Sequence, residues 1–212
     1  MLTPAVQVDQ YSGAMTAHGL PMTVARGVGV DTDTAVRGVL TGRRPEDHFA
    51  DVTVRTLEDR DWDAVRRIYG EGIATGIATF TAEVPAREVL DKVWLPDHRW
   101  VAEIDGRVVG WAALSPVSSR ECYAGVAENS IYIADGMRGR GVGKALLRTQ
   151  VDAADEAGLW TLQTVIFPEN RTSLALHHSV GFRTVGIRER IGKLAGVWHD
   201  TVLLERRSET VI

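Results

Sequence analysis

The segment DGMRGRGVGKALL, residues 135–147, combines four glycines and three cationic side chains and runs directly into the apolar periodicity of a helix. Glycine lets a backbone come close to a ligand, and the first N–H groups of a helix point at whatever lies in front of them. The segment therefore predicts an anion-binding turn at a helix start. The alternative is an ordinary glycine-rich turn with a solvated basic face.

Spacing excludes two common nucleotide-binding loops. A Rossmann fingerprint would need a third glycine where Lys144 or Leu146 stands. A Walker A loop ending at Gly143 and Lys144 would need a glycine in place of Arg138 and a hydroxyl residue in place of Ala145. The turn belongs to neither class.

Composition limits the possible partners of the chain. The 212 residues are 44% hydrophobic, enough for one domain with a core, and the net charge of −4 argues against nucleic acid as the main partner. The single Cys122 excludes an intrachain disulfide and suits a reducing compartment. No apolar run reaches about 18 residues, and the N-terminus does not resemble a secretory signal. We therefore expect a cytoplasmic protein without a membrane partner.

The chain divides into two parts. Residues 1–50 are small and polar without a sustained period, and we expect them to form a partly irregular N-terminal extension. Residues 51–212 form the main domain, with the predicted order βααβββαβαββ. The predicted strands are 52–57, 100–104, 108–114, 127–133, 161–167, 183–191 and 197–205. Four helices are predicted: the first has its apolar positions over 62–73, a short second helix follows Pro85, the third covers 142–157 and is closed by Gly158, and the fourth covers 171–180 and is closed by Gly181. Residues 115–125 are expected to be irregular.

The turn resembles the R/Q-x-x-G-x-G/A signature of the GNAT acetyltransferase superfamily over Arg138-Gly139-Arg140-Gly141-Val142-Gly143. Three further blocks resemble the phosphinothricin and methionine sulfoximine N-acetyltransferases: AENSIYI at 127–133, LHHSVGF at 176–182 and GVWHD at 196–200. The resemblance covers roughly residues 52–206. It implies an α/β (α+β) fold, the GNAT fold, in which a central mixed, mostly antiparallel sheet is splayed beside the cofactor loop and flanked by helices.

The same resemblance implies that acetyl-CoA is the acetyl donor and indicates which residues bind it. The pantetheine arm would lie along strand backbone, and the pyrophosphate would lie in the turn. Asn170 also stands where a helix N-cap would, and the two roles are compatible. The cofactor-binding residues implied are Ile131, Tyr132 and Ile133 for the arm, Arg138, Gly139, Arg140, Gly141, Val142, Gly143 and Lys144 for the pyrophosphate, and Asn170 and Ser173 near the thioester.

Glu128 is the predicted general base. An amine attacks a thioester only when it is neutral, so a base must remove its proton. Partial burial would raise the pKa of this carboxylate toward the useful range. The resembled enzymes carry a glutamate with this proposed role, and the alternative is an exposed strand glutamate.

His177 is the second predicted catalytic residue. GNAT enzymes usually carry a tyrosine at this position, and the phosphinothricin-type enzymes carry histidine. A histidine can move a proton near neutral pH, or it can be a hydrogen-bonded core residue. His178 lies about 100° around the helix from it, so the two do not point at one metal, and no other metal-ligand spacing is present. We expect no metal.

Arg120 and Tyr123 are the predicted substrate-binding residues, because the resembled enzymes carry these residue types here. A guanidinium binds a carboxylate in a bidentate manner, whereas the alternative is a solvated loop arginine. Cys122 between them has no positioned base that would make it a nucleophile. Trp198 is expected in the core or at an interface.

The resemblance implies an acetyl-CoA-dependent N-acetyltransferase that acetylates the α-amine of a small amino-acid analogue. Phosphinothricin, methionine sulfoximine and methionine sulfone are the implied acceptors, with direct transfer, a detoxifying role and a homodimer. Two alternatives stay open: an acetyltransferase for a polyamine or a protein N-terminus, and a non-catalytic acyl-CoA-binding module.

Overall fold

The computed structural model describes residues 51–211, so the predicted extension over 1–50 lies outside the described residues. The order of its elements confirms the prediction. The strands are β1 Thr53–Thr56, β2 Arg99–Ile104, β3 Arg107–Pro116, β4 Val126–Ile133, β5 Thr161–Ile166, β6 Arg183–Leu194 and β7 Val197–Arg207, and the helices are α1 Trp62–Ala74, α2 Arg87–Val93, α3 Val142–Glu156 and α4 Arg171–His178.

Several predicted boundaries were wrong. β3 runs two residues further, to Pro116, because Ser115 and Pro116 pair with β4, and β6 runs to Leu194 because it pairs with β7. A 3-10 turn, Glu121–Tyr123, lies in the segment that was expected to be irregular. These extensions depend on the neighbouring strand, which local apolar periodicity does not report.

The sheet is mixed and mostly antiparallel, as predicted, with the strand order β1-β2-β3-β4-β5-β7-β6. Among the strands of residues 51–211, only β4 and β5 are parallel, and they pair over residues 126–128 and 161–163. Residues 129–133 of β4 continue to pair with β3 alone. The sheet is therefore splayed after Glu128, and one edge of the far half of β4 has no strand partner in the part of the chain that the structure describes.

The face of the sheet under α1 and α2 is aromatic. Trp62 stacks on Trp94 with ring centres 5.7 Å apart, Trp94 contacts Trp111 at 4.9 Å, and Trp111 stacks on Tyr132 at 4.6 Å. Tyr69 packs against Tyr132 at 4.8 Å. Each such pair adds about 0.5–1.5 kcal/mol beyond the burial of its area, so this chain of rings fixes β4 against α1.

The opposite face is covered by α3 and α4 and has an aliphatic core. The helix α3 forms because its apolar residues recur on one side, which packs on the sheet. It ends at Glu156 with Ala157 as the C-cap residue, and Gly158 follows in the left-handed region with φ 78°, the closing glycine that the sequence predicted. Fully buried members of this core include Leu114, Leu146, Leu147, Leu162 and Leu204.

Gly125 is the point where β5 joins β4. Its carbonyl accepts hydrogen bonds from the N–H groups of Trp160, at 2.8 Å, and Thr161, at 3.1 Å. The Trp160 ring lies over the glycine, so that a Cβ there would come within 2.1 Å of the ring. The absence of a side chain at Gly125 therefore permits the short parallel pairing.

We predict that Gly125→Ala lowers the free energy of unfolding by about 1–3 kcal/mol, because the new methyl group must displace the indole. The matched control is Gly186→Ala on β6, where an added Cβ meets nothing within 4 Å. That control should change stability by no more than about 1 kcal/mol. Urea denaturation measures both, and equal losses would contradict this account of Gly125.

Candidate active site

The glycine-rich turn has the backbone conformation of an anion site. Gly139, with φ 77°, and Gly141, with φ 81°, are both in the left-handed region that glycine tolerates. Gly141 is the N-cap residue of α3, no side chain caps the helix there, and its first turn carries no acidic residue. The positive end of the helix dipole and the first-turn N–H groups therefore face forward without a protein carboxylate among them.

The base of this turn is held by α1. The Glu71 carboxylate accepts a hydrogen bond of 2.7 Å from the N–H of Asp135, and it pairs with Arg67 at 2.5 Å. Sequence reasoning missed Glu71. Its only signal was the i, i+4 spacing from Arg67, which indicates a helix surface pair and not a contact with a distant turn.

At two residues of the predicted pyrophosphate site, the side-chain position lies in the core and does not face the turn. Val142 is buried in the aliphatic cluster, and a Cβ on Gly143 would lie 2.9 Å from Leu176 of α4. Gly143 thus allows α3 and α4 to approach each other. Only the backbone N–H groups of these two residues are suited to an anion.

The strand β4 offers its backbone beside the turn. The side chains of Ile131 and Ile133 pack on the aliphatic core, and Tyr132 packs in the aromatic cluster. Burial raises the pKa of Tyr132, which keeps its hydroxyl protonated. All three side chains therefore pack inside the protein, on one face of the sheet or the other. A ligand can contact β4 through its open backbone edge over residues 129–133.

Glu128 lies at the last paired position before the splay, opposite Gln163 of β5. Gln163 donates a hydrogen bond of 3.4 Å from Nε2 to Oε2 of Glu128. Burial raises the pKa of the Glu128 carboxyl above its usual range, while this hydrogen bond and the positive charge of Arg188 act to lower it. The direction is the one that the sequence analysis predicted, and the side chain is half-buried, not fully exposed.

His177 contacts the other face of β4. Successive side chains of a strand point to opposite faces, so Glu128 and Asn129 diverge, and it is Asn129 that meets His177. The His177 Nδ1 lies 2.7 Å from the Ser173 carbonyl oxygen, which requires an N–H there, and Nε2 then accepts from the Asn129 amide at 3.2 Å. The histidine is 1% exposed, and burial lowers its pKa to about 4.

The contact extends into a buried polar network. Asn129 also donates to Oε1 of Gln150 on α3 at 3.2 Å, and Gln150 donates to the Ala113 carbonyl of β3 at 2.9 Å. Both ring nitrogens of His177 are thus engaged within the protein. This geometry is that of the hydrogen-bonded core histidine, and the structure does not bring His177 and Glu128 together.

Asn170 caps α4, as predicted. Its Oδ1 accepts the Ser173 N–H at 3.2 Å, and its Nδ2 donates to the Ile77 carbonyl at 3.4 Å. The cap therefore fixes both the helix start and the segment that follows α1. The Ser173 hydroxyl lies 3.4 Å from Nδ1 of His177.

Arg120 and Tyr123 lie at the exposed 3-10 turn before β4. The Arg120 guanidinium carbon is 5.6 Å from the centre of the Tyr123 ring, a cation–π contact. Within residues 51–211, no hydrogen bond or ion pair joins either side chain to Glu128. Cys122 between them is exposed.

In the described part of the chain, residues 51–211, no group of three or more His, Cys, Asp or Glu side chains is placed to hold a metal ion. Over the same range, none of the helices has the length and apolar character needed to cross a membrane.

Residues 62–182 match the model of the Acetyltransferase (GNAT) family. The chain belongs to this family. The match spans the aromatic face, β4, the glycine-rich turn and α4, so it includes every element that forms the candidate site. The family and the fold that the glycine signature and the three sequence blocks predicted are thus confirmed.

The chain is similar to acetyltransferases that are named for amino-acid analogues. A phosphinothricin N-acetyltransferase of Alcaligenes faecalis is 38% identical over 164 residues, which are 73% of this chain and 81% of the relative. An L-methionine sulfoximine/L-methionine sulfone acetyltransferase of Pseudomonas aeruginosa is 31% identical over 160 residues, which are 72% of this chain and 92% of the relative. A phosphinothricin acetyltransferase of Sinorhizobium meliloti, solved with acetyl-CoA, superposes with a TM-score of 0.67 at 28% identity, covering 76% and 95% of the two chains.

We predict that His177 makes the folded protein less stable in acid. Its pKa is about 4 in the folded state against an ordinary 6.5, so the unfolded chain binds more protons between these values and stability falls as the pH drops through them. From neutrality to about pH 5 the loss is about 2 kcal/mol. Urea denaturation at both pH values should therefore give a smaller pH-dependent loss for His177→Gln than for the wild type. Equal losses in the two proteins would show that the histidine is not held neutral.

Proposed function

We propose that this protein transfers the acetyl group of acetyl-CoA to the α-amine of a small amino-acid analogue of the phosphinothricin, methionine sulfoximine or methionine sulfone type. The observation that carries the proposal is Glu128, a half-buried carboxylate with a raised pKa, at the point where β4 and β5 separate. The glycine-rich turn and the open edge of β4 lie next along the chain. The relatives that act on these compounds support the choice of acceptor.

The donor would lie in the splay. The uncapped first turn of α3, with Gly139 and Gly141 in left-handed conformation, fits a pyrophosphate, and the edge of β4 over residues 131–133 fits an extended amide-bearing arm. Exposed Arg138 and Arg140 add positive charge beside the turn. Bound acetyl-CoA would supply an activated acetyl thioester there.

Glu128 would take the proton of the acceptor amine. Desolvation raises the proton affinity of the carboxylate, which makes it a better base, and the hydrogen bond from Gln163 fixes one oxygen. The other oxygen is then available to an amine on the same face of the sheet. A backbone N–H at the open edge of β4 would polarise the carbonyl that is attacked.

His177 is proposed to position α4 and not to carry a proton. It is neutral, and its two nitrogens tie the Ser173 carbonyl of α4 to Asn129 of β4. Such a connection keeps Ser173 and the Asn170 cap at a fixed distance from the splay. Arg120 and Tyr123 remain candidates for acceptor binding at the mouth of the site.

The proposal includes a homodimer formed through β6 and β7. This hairpin carries apolar side chains that the rest of residues 51–211 leaves exposed: Ile187 is 64% exposed, Val197 is 60% exposed and Trp198 is 54% exposed. Apolar groups concentrated on one strand pair are typical of an interface between subunits.

We predict that Trp198→Glu converts a dimer into a monomer, because the charge is costly to bury at an interface. Light scattering measures the mass of each protein in solution. The control is Val89→Glu, which introduces the same charge at an exposed apolar residue of α2 and should leave the dimer intact. A monomeric wild type would contradict the proposal.

A cytoplasmic, detoxifying role completes the proposal. Acetylation removes the charge and the nucleophilicity of the α-amine, so an amino-acid analogue loses the group by which it resembles its natural counterpart. The solitary cysteine suits the reducing cytoplasm.

We predict that Glu128→Gln lowers kcat by about 10²–10⁴-fold, the usual contribution of a general base, without changing the Kd for acetyl-CoA. Glutamine keeps the size of the side chain and its contact with Gln163. Thiol release measures kcat, and calorimetry measures the Kd. Glu88→Gln, at an exposed glutamate of α2, is the control and should behave as wild type. Retention of full turnover by Glu128→Gln would remove the carboxylate from the mechanism.

A further inference from the structure

Arg188 on β6 is a cation without a binding partner among residues 51–211. Its side chain is exposed, and it makes no hydrogen bond or ion pair with any of residues 51–211. Neighbouring arginines differ: Arg183 pairs with Glu205, and Arg206 forms a bidentate pair with Asp155.

The strand registers place Arg188 on the same face of the sheet as Glu128. Glu128 pairs with Gln163, and Gln163 pairs with Glu205 of β7. Thr201, four residues before Glu205, shares its face, and Arg188 pairs with Thr201. Since paired residues project to the same side and every second residue of a strand does too, the guanidinium and the Glu128 carboxylate project from one face.

Electrostatics agree with this placement. Burial raises the pKa of the Glu128 carboxyl, and the positive charge of Arg188 acts in the opposite direction, with a smaller effect than burial or the Gln163 hydrogen bond. Gln163, the other group that acts on this carboxyl, is neutral. On the same face, the charge of Glu205 is already paired with Arg183. Arg188 is therefore the cation that faces the proposed base.

Three rings, those of Phe80, Phe167 and His199, pack together near Arg188. Phe80, from the segment between α1 and α2, packs edge-on against Phe167 with ring centres 4.6 Å apart, and Phe167 stacks on His199 at 5.1 Å. A Cβ on Gly192 of β6 would lie 2.9 Å from the Phe80 ring, so the glycine admits that ring. His199 lies two residues before Thr201 and therefore shares the face of Arg188.

We propose that Arg188 binds the α-carboxylate of the acceptor while Glu128 takes the proton from its α-amine. This inference rests on the proposed function, in which the acceptor is an α-amino acid. Carboxylate and amine are attached to one carbon, so the cation that binds the first must face the base that serves the second, and a guanidinium binds a carboxylate in a bidentate manner. Arg120, the residue that the sequence favoured, packs on Tyr123 at the exposed turn.

The test compares methionine sulfone with its α-carboxamide as acceptors. Arg188→Gln should raise the KM for methionine sulfone by about tenfold or more, the loss expected for a charge-assisted hydrogen bond. The KM for the carboxamide and for acetyl-CoA should not change. Phosphinothricin carries a phosphinate as well as the α-carboxylate, and its α-carboxamide keeps only the phosphinate. If Arg188→Gln raises the KM for this carboxamide, Arg188 binds the phosphinate, and the proposal is overturned.

Matched variants separate this role from a structural one. Arg190→Gln removes the same charge from the same strand and should leave all KM values unchanged. Arg188→Gln should also shift the acid limb of the kcat/KM profile to higher pH, because the cation that lowers the pKa of Glu128 is gone, whereas Arg190→Gln should not. If Arg188→Gln does not fold, Arg188→Lys carries the test, with a raised KM for methionine sulfone alone.

Two results would overturn the inference, and they are distinguishable. In the first case, the wild type acetylates methionine sulfone, and its preference for methionine sulfone over the carboxamide is lost in Arg120→Gln but kept in Arg188→Gln. Only the assignment to Arg188 is then wrong. If the wild type acetylates no amino-acid analogue, the proposed function is wrong as well.

Discussion

The structure depends on one constraint, which is that β4 pairs with β5 over only three residues. Beyond Glu128, β3 is the only strand neighbour of β4 within the described residues 51–211, and no strand of that range pairs with the peptide groups of its other edge. Buried or half-buried peptide groups need partners, so such an edge is suited to an extended ligand. Gly125 permits the pairing to begin, and the aromatic cluster under α1 holds the unpaired half of β4 in place.

The two faces of β4 have different tasks as a result. On the α4 side, Asn129, His177 and Gln150 form a buried network in which every side-chain nitrogen has a partner, and these hydrogen bonds fix α3 and α4 against β4. Oδ1 of Asn129 is buried without a partner among residues 51–211. On the other side, burial raises the pKa of Glu128, and the strand registers place Arg188, which has no hydrogen-bond or ion-pair partner among residues 51–211, on the same face. One face thus provides rigidity, and the other provides reactive groups.

Much of this could be read from the sequence, since local patterns report local structure. Apolar periodicity gave the order of the elements, and the Asn170 cap and the glycine turn have short-range signatures. What failed depends on residues far apart in the chain. Glu71 meets Asp135 only after folding, the face shared by Glu128 and Arg188 follows from three strand registers, and the burial of His177 depends on Asn129. No spacing along the chain contains these contacts.

The most direct test of the account is release of CoA from acetyl-CoA with a panel of acceptors. The account predicts turnover with phosphinothricin, methionine sulfoximine and methionine sulfone, and none with spermidine or a short peptide. Turnover confined to spermidine or the peptide would contradict the assigned acceptor. No turnover with any acceptor, by a protein that still binds acetyl-CoA, would contradict catalysis itself and indicate an acyl-CoA-binding module.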